Sequence, residues 1–166
     1  TVKKILIFLI VVIAGLALIS LFKTNKQTYQ PVYRENRGEK IKILFVGDMM
    51  FDRTIRDMAE KNGYGYLFSC IGDYLRQFDI VIGNLEGSIT DEISLSRNTK
   101  PGEVNNTTFT FDVRIAEVLA LNNIKMVNLG NNHILDFGMF GRDNTERELG
   151  RAGILYFGAP GSRIVA

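Results

Sequence analysis

Three short apolar runs of the sequence each end at a glycine that is soon followed by side chains able to do chemistry. Asp48 follows the first glycine, Asn84 and Glu86 follow the second, and Asn132 and His133 follow the third. Carboxylate and amide oxygens suit Mg²⁺, Mn²⁺ or Ca²⁺, and an added imidazole favours Zn²⁺ or Fe. Such a metal ion could polarise a phosphoryl oxygen and generate hydroxide from water. His133 could protonate a leaving group.

Each of these residues also has an ordinary structural interpretation. An aspartate such as Asp48 after a strand is often a turn or helix cap, and Glu86 could be a solvated loop residue. Asn131 and Asn132 fit a turn, because asparagine tolerates left-handed backbone conformations. A lone histidine such as His133 is more often structural than catalytic. The repetition of the same strand ending at three places favours a functional site over these interpretations.

Four short apolar runs predict the strands that would carry the candidate residues. They are rich in β-branched and aromatic residues and alternate with segments of helical periodicity, which is typical of an α/β domain with a largely parallel sheet. The predicted strands are residues 41–46, 79–85, 125–129 and 154–157. Because the carboxyl ends of parallel strands share one edge of a sheet, we expect the candidate side chains to converge within about 8 Å, the scale of a two-metal centre. The glycine at each strand end would allow a backbone conformation that a Cβ penalises.

Helices and loops are predicted between these strands. Apolar residues recur at spacings of three and four over residues 66–78, which indicates an amphipathic helix. Asp112 is expected to cap a further helix, and another helix is predicted over residues 142–152. Residues 87–108 are rich in Ser, Thr and Asn and are interpreted as a long loop.

Two further features have plain structural interpretations. Asp52 and Arg53 could support the site from behind it, but an ordinary helix N-terminus is the favoured interpretation. Cys70 lies on the apolar side of the predicted helix and is expected to be a buried, inert thiol. One cysteine excludes an internal disulfide framework and a multi-cysteine zinc site.

The N-terminal part of the chain is strongly apolar. Residues 5–22 are interrupted only by one glycine and one serine, and a helix of that length rises about 27 Å, close to the roughly 30 Å of a bilayer's hydrocarbon core. We predict that residues 1–22 are an uncleaved signal anchor, with a cleaved signal peptide as the alternative. Residues 23–40 would be a polar linker, and residues 41–166 a domain held outside the cytoplasm at the cell membrane.

The charge of the chain argues against a nucleic-acid partner. Lys3 and Lys4 account for the whole formal net charge of +2, so the remainder is formally neutral. Domains that bind nucleic acid normally present a basic face.

Four blocks of the sequence become recognisable when they are taken together. They are GDMM at 47–50, NLEG at 84–87, NLGNNHILDFG at 128–138, and the later Gly153-Ile154 with Phe157-Gly158-Ala159. In this order they resemble the CapA family of capsule and poly-γ-glutamate biosynthesis proteins. That family resembles the calcineurin-like metallophosphoesterases, so the resemblance implies an α-β-β-α sandwich around a two-metal site, with its N-terminal half present in this chain.

The resemblance implies a metal-binding role for four residues. Asp48 is similar to the ligand of the first family motif, and Glu86 to the bridging carboxylate of the second. Asn132 is similar to the asparagine ligand of the third motif, and Asn84 is a further candidate ligand. The metal would be Mn, Zn, Fe or Mg.

The same resemblance implies catalytic roles for two residues and reveals two departures. His133 is similar to the histidine that meets the leaving group, and Asp136 would orient its loop. Met50 stands where the superfamily normally has a histidine, and no histidine follows His133. We therefore expect an incomplete metal site and no activity from this part of the fold alone.

The sequence favours a membrane-anchored protein that acts in the biosynthesis or export of a capsule polymer. Its substrate would be an anionic polymer or a phosphoester, its chemistry a metal-dependent hydrolysis, and its partners other subunits of a capsule-synthesis complex. The alternative is an anchored scaffold or polymer-binding subunit that keeps the fold without turnover.

Overall fold

The computed structural model describes residues 40–161. The anchor predicted over residues 1–22 lies outside the described residues, as does nearly all of the linker predicted over residues 23–40. Within 40–161, no helix is long and apolar enough to cross a membrane.

The described residues form an α/β unit built on a four-stranded sheet. In chain order the elements are β1 (Ile43–Met49), α1 (Arg53–Asn62), a 3₁₀ helix (Tyr64–Phe68), α2 (Gly72–Leu75), β2 (Ile80–Leu85), β3 (Ser88–Ile89), β4 (Thr110–Phe111), α3 (Arg114–Leu121), β5 (Ile124–Asn128), α4 (Gly138–Arg151) and β6 (Leu155–Phe157). The strands of the sheet follow the order β1-β2-β5-β6, and each neighbouring pair is parallel. The predicted α/β class and parallel sheet are confirmed.

The strands extend further into the candidate residues than the sequence predicts. β1 continues to Met49 and therefore contains Asp48, and β2 contains Asn84. The register between β1 and β2 shifts between Phe45 and Asp48, which marks a β-bulge. Because one extra residue reverses the alternation of side chains, the bulge places Asp48 on the same face of the sheet as Phe45.

Two of the three glycines at the strand ends, Gly83 and Gly130, are needed for space and not for the backbone conformation that was predicted. Gly47, Gly83 and Gly130 all have φ values outside the left-handed region. A Cβ on Gly83 would lie 2.8 Å from the Cε of Met49, so this position needs glycine for close packing. A Cβ on Gly130 would lie 3.1 Å from the Oδ1 of Asn128, which crowds the candidate site.

The segment 66–78 does not form the continuous helix that its spacing predicts. It contains the end of the 3₁₀ helix and the four-residue α2. Glycine disfavours helix interiors, and a Cβ on Gly72 would lie 2.6 Å from the side-chain Oδ1 of Asn122 at the end of α3, so this position needs glycine where the segment packs against α3. Cys70 is exposed. Its predicted burial was wrong, because the helix that would have buried it is absent.

The other helices agree more closely with the sequence. α3 forms where a helix is predicted, but its N-cap residue is Val113 and not the predicted Asp112, whose Oδ1 still accepts a hydrogen bond of 2.9 Å from the backbone N of Arg114. α4 contains most of the predicted helix but begins earlier, at Gly138. Asp52 is the N-cap of α1, in agreement with the plain interpretation. The long loop contains the short strand β3, which pairs in parallel with β4.

The hydrophobic core lies on one face of the sheet. Val81 and Leu85 of β2 and Val127 of β5 are fully buried there. Ile115 and Leu119 of α3 belong to the same buried cluster. Since successive strand residues point to opposite faces, these residues also define which side chains face the other way.

The opposite face of the sheet carries an apolar row that the described residues leave uncovered. Phe45, Ile82, Met126 and Leu155 are paired in register across the four strands. Phe45 is 72% exposed and Leu155 is 45% exposed. We call these four residues the open face.

Candidate functional site

A row of polar side chains continues the open face at the carboxyl ends of the strands. Asp48 pairs in register with Asn84, and Asn84 pairs with Asn128. The Nδ2 of Asn84 donates to the Oδ1 of Asp48 at 2.8 Å and also to the Oε2 of Glu86. The Oδ1 of Asn84 accepts from the Nδ2 of Asn128 at 3.0 Å. A single amide therefore joins both candidate carboxylates to the neighbouring strand.

Asn131 connects this row to the candidate histidine. Its Nδ2 donates to the Oδ1 of Asn84 at 3.1 Å and to the carbonyl oxygen of Leu85 at 2.8 Å. Its Oδ1 accepts from the backbone N of His133 at 3.0 Å. The loop after β5 is thus fixed to the end of β2, and the backbone of His133 is held in place.

The imidazole of His133 lies between two carboxylates. Its Nδ1 is 2.9 Å from the Oδ2 of Asp136, and its Nε2 is 3.8 Å from the Oε1 of Glu86. The His133 side chain is only 14% exposed. When Nδ1 donates to Asp136, Nε2 is left to exchange a proton with a substrate, so the arrangement is suited to general acid or base chemistry.

Phe109 is a further part of the site. Its backbone N donates to the Oδ2 of Asp136 at 2.7 Å. Its ring centroid lies 4.4 Å from that of His133. The guanidinium of Arg53 is 4.7 Å from the centroid of the Phe109 ring. The end of the long loop therefore positions both members of the His133–Asp136 pair.

The structure brings five of the six predicted site residues into one network and leaves the sixth at its margin. Asp48, Asn84 and Glu86 are joined directly, and Glu86 approaches His133, which contacts Asp136. The side chain of Asn132 is exposed and makes no hydrogen bond to the described residues. The neighbouring asparagine, Asn131, makes the contacts instead.

Sequence reasoning did not assign Asn128, Asn131 or Phe109 to the site. The first two lie within the NLGNNH run, and the alignment of strand ends could have pointed to Asn128. No sequence signal indicates Phe109, because its position depends on the path of the long loop.

The donor set of the described residues does not complete a metal site. Within 40–161, no group of three or more His, Cys, Asp or Glu side chains is placed to hold a metal ion. The amide of Asn84 already uses one oxygen of Asp48 and one of Glu86. Mg²⁺ takes six ligands and Zn²⁺ about four, so a metal here needs ligands from beyond these residues.

The start of α3 contains the carboxyl group with the most clearly displaced pKa. The Arg114 guanidinium donates to both carboxylate oxygens of Asp112 at 2.7 Å and lowers the pKa of that carboxyl to about 2. Burial raises the pKa of the Tyr64 hydroxyl, whose oxygen accepts from Arg114 at 3.2 Å. This ion pair fixes the helix start and is separate from the His133 network.

Comparison with known proteins identifies one family. A family model described as "Bacterial capsule synthesis protein PGA_cap" matches residues 42–163. The match covers the strands and the loop residues that form the site.

Individual relatives agree with this match. The chain is 28% identical to the "Capsule biosynthesis protein CapA" of Bacillus anthracis over 76% of this chain and 30% of that protein. It is 26% identical to the "PGA biosynthesis protein CapA" of Bacillus subtilis over 78% of this chain and 33% of that protein. It is 32% identical to an uncharacterized protein of Sinorhizobium fredii over 75% of this chain and 26% of that protein. The chain thus spans about a third or less of the length of the curated relatives it matches.

Proposed function

We propose that this chain, which belongs to the bacterial capsule synthesis protein family, contributes a hydrolytic centre to the biosynthesis or export of an anionic capsule polymer. The observation that carries the proposal is the placement of His133 between the carboxylates of Asp136 and Glu86. The names of two relatives refer to capsule and PGA biosynthesis, which supports this class of substrate.

His133 would act as the proton donor to the leaving group. Asp136 accepts from Nδ1 and keeps the ring in one orientation, so that Nε2 faces the side of the network where Glu86 lies. Partial burial of the ring limits competition from water. A positioned acid of this kind contributes about 10²- to 10⁴-fold to a rate.

A metal ion (Mn, Zn, Fe or Mg) would be held by Asp48, Glu86 and Asn132, with Asn84 beside them. It would need further ligands in addition to these residues. When bound, such a metal would activate water and polarise a phosphoryl oxygen. The described residues alone do not satisfy its coordination, and the roles of His133 and Asp136 do not depend on it.

A second sheet packed against the open face would complete the proposed α-β-β-α sandwich. Large exposed apolar patches mark interaction surfaces, and Phe45 and Leu155 are 72% and 45% exposed. A layer over Phe45 and Leu155 would also shield the polar row that continues the same face. The relatives contain more than twice the length that matches this chain, which is ample for such a layer.

The anchor predicted over residues 1–22 gives the proposal its location. It would hold the domain at the outer surface of the cell membrane, where a capsule polymer emerges and where other subunits of a synthesis complex could contact it.

The scaffold alternative is favoured by one specific observation. Asn84 donates to both Asp48 and Glu86, and this amide reduces the repulsion between the two carboxylates without a bound metal, so the network can be stable without turnover. A scaffold would need the network for folding but would not need a proton donor at position 133.

The experiment compares His133→Gln with Glu117→Gln in the protein as its host makes it. Both replacements remove an ionisable group, and Glu117 is exposed on α3. Polymer output should fall at least about tenfold in the first variant and stay unchanged in the second, with equal protein levels. Normal polymer output from His133→Gln would contradict the hydrolytic function and would support the scaffold function.

A further inference from the structure

A cavity of about 380 Å³ lies apart from the His133 network. Arg56 of α1, residues 90–94, Arg97 and residues 112–113 line it. Its volume falls within the range of small-molecule sites. None of its lining residues belongs to the candidate site described above.

Arg56 contributes a buried guanidinium with unused donors. Its side chain is 9% exposed, and its Nε has no hydrogen-bond partner among the described residues. The Oδ1 of Asp52 is 3.8 Å from this nitrogen, a distance that gives electrostatic attraction but no hydrogen bond. A buried donor without an acceptor is costly, so an acceptor from a ligand would relieve a deficit at Arg56.

Asp52 cannot supply that acceptor, because other donors already occupy its carboxylate. It is fully buried and accepts four hydrogen bonds, two on each oxygen, which uses its full capacity. The donors are the backbone N of Arg53 at 2.9 Å, the Oγ of Ser94 at 2.6 Å, the Oγ of Ser96 at 2.9 Å and the backbone N of Thr110 at 3.1 Å.

The remaining charges of the cavity divide into paired and unpaired groups. Arg97 is paired with two carboxylates of α1, at 2.6 and 2.8 Å, and Asp112 is paired with the arginine that follows it two residues later. Asp91 and Glu92 are exposed, and their carboxylates make no hydrogen bond or ion pair within the described residues. The cavity therefore combines one buried cation, Arg56, with two free carboxylates.

We propose that this cavity binds a carboxylate whose neighbouring nitrogen carries hydrogens, as in an α-amino acid. Arg56 donates to the carboxylate of the ligand, and Asp91 and Glu92 accept from its ammonium or N–H group. An anion without such a nitrogen, for example phosphate, meets repulsion from these two carboxylates. The cavity shares no residue with the proposed hydrolytic centre, so a result that contradicts one proposal does not affect the other.

Calorimetric titration of the full chain with glutamate, glutarate and inorganic phosphate tests the proposal. Glutamate should bind at least about tenfold more tightly than glutarate, which lacks the amine, since the ammonium of glutamate donates hydrogen bonds to ionised carboxylates. Phosphate should bind more weakly still. Absence of glutamate binding, or binding of phosphate as tight as that of glutamate, would overturn the proposal.

Variants identify the groups responsible. Arg56→Met should abolish glutamate binding, whereas the matched control Arg151→Met, at a side chain that is 67% exposed, should retain it. The double variant Asp91→Asn with Glu92→Gln changes exposed side chains that do not support the fold. It should remove the preference for glutamate over glutarate, and it tests the site even if Arg56→Met fails to fold.

The same titration separates this cavity from the His133 network. His133→Gln should bind glutamate with unchanged affinity, whatever it does to polymer output. Loss of glutamate binding in that variant, or an unchanged preference in the Asp91→Asn, Glu92→Gln variant, would show that the ligand does not occupy the Arg56 cavity.

Discussion

Asp48 and Asn84 lie opposite each other at the carboxyl ends of β1 and β2, and a hydrogen bond of 2.8 Å joins their side chains. The bond depends on the bulge between Phe45 and Asp48, because an unbulged strand would turn Asp48 into the core. Asn84 also donates to Glu86. One amide thus holds together two carboxylates that would otherwise repel each other.

Asn84→Leu tests the importance of this amide. It keeps the volume but removes the donor shared by Asp48 and Glu86 and the acceptor used by Asn128. We expect a loss of about 1–3 kcal/mol in the free energy of unfolding, the usual cost of polar groups left without partners, measured by urea denaturation. The control Gln77→Leu changes an exposed amide and should stay within about 0.5 kcal/mol of the parent chain. Equal stability of the two variants would contradict the role given to Asn84.

Phe45→Thr tests the open face. Phe45 is 72% exposed, and threonine keeps the preference for strands, so the free energy of unfolding of residues 1–166 produced alone, without the layer proposed to cover this face, should change by no more than about 0.5 kcal/mol. Self-association, measured by sedimentation, should decrease because the apolar area is reduced. Val81→Thr, at a fully buried position of β2, should be strongly destabilising. A loss of stability in Phe45→Thr as large as in Val81→Thr would show that the face is covered.

Asp112→Asn tests the ion pair at the start of α3. The pKa of Asp112 is lowered from its ordinary value of 3.8 to about 2, so the ionised carboxylate stabilises the folded state above about pH 4. This stabilisation is lost as the pH falls from about 4 through about 2. After allowance for solvent screening, the parent chain should exceed Asp112→Asn by about 1 kcal/mol near neutral pH.

Urea denaturation over a pH series measures this difference. The stability gap between the two proteins should be constant above pH 5 and should close near pH 2. A gap that widens as the pH falls would contradict the assignment of the lowered pKa to Asp112.

Manganese or zinc tests the incomplete donor set. A ligand stabilises the native state by RT ln(1 + [L]/Kd), and no group of three or more His, Cys, Asp or Glu side chains within residues 40–161 is placed to hold the ion. The melting temperature of the full chain should therefore rise by about 2 °C or less at millimolar metal. A large rise that disappears in Asp48→Asn would show that the chain itself completes a metal site.

The sequence predicted the parallel sheet and the approach of Glu86 to His133 because both follow from strand polarity and from motifs at strand ends. It missed the bulge that turns Asp48, because Gly47, a residue type that often marks a bulge inside a strand, was interpreted as the end of the strand. It did not assign the contacts that Asn131 makes with Asn84 and Leu85, because they depend on how the loop after β5 packs against β2; the metal-binding role predicted for the exposed Asn132 stays a prediction.

The helix predicted over residues 66–78 failed for a related reason. The spacing of apolar residues indicates which of them could lie on one face of a helix. It does not indicate that the side chain of Asn122 lies close to Gly72, which depends on how α3 packs against this segment. The same limit applies to the position of Phe109, which the path of a long loop determines.

The central claim is that His133 donates a proton in a hydrolytic reaction. The most direct test is the rate at which the protein, purified from its host, hydrolyses a dialkyl phosphodiester, whose alkoxide leaving group needs a proton, with His133→Gln and the control Glu117→Gln measured in parallel. We predict that His133→Gln lowers kcat by about 10²-fold or more with KM little changed, and that the control matches the parent protein. Equal rates for His133→Gln and the parent, or no hydrolysis by the parent protein, would contradict the claim.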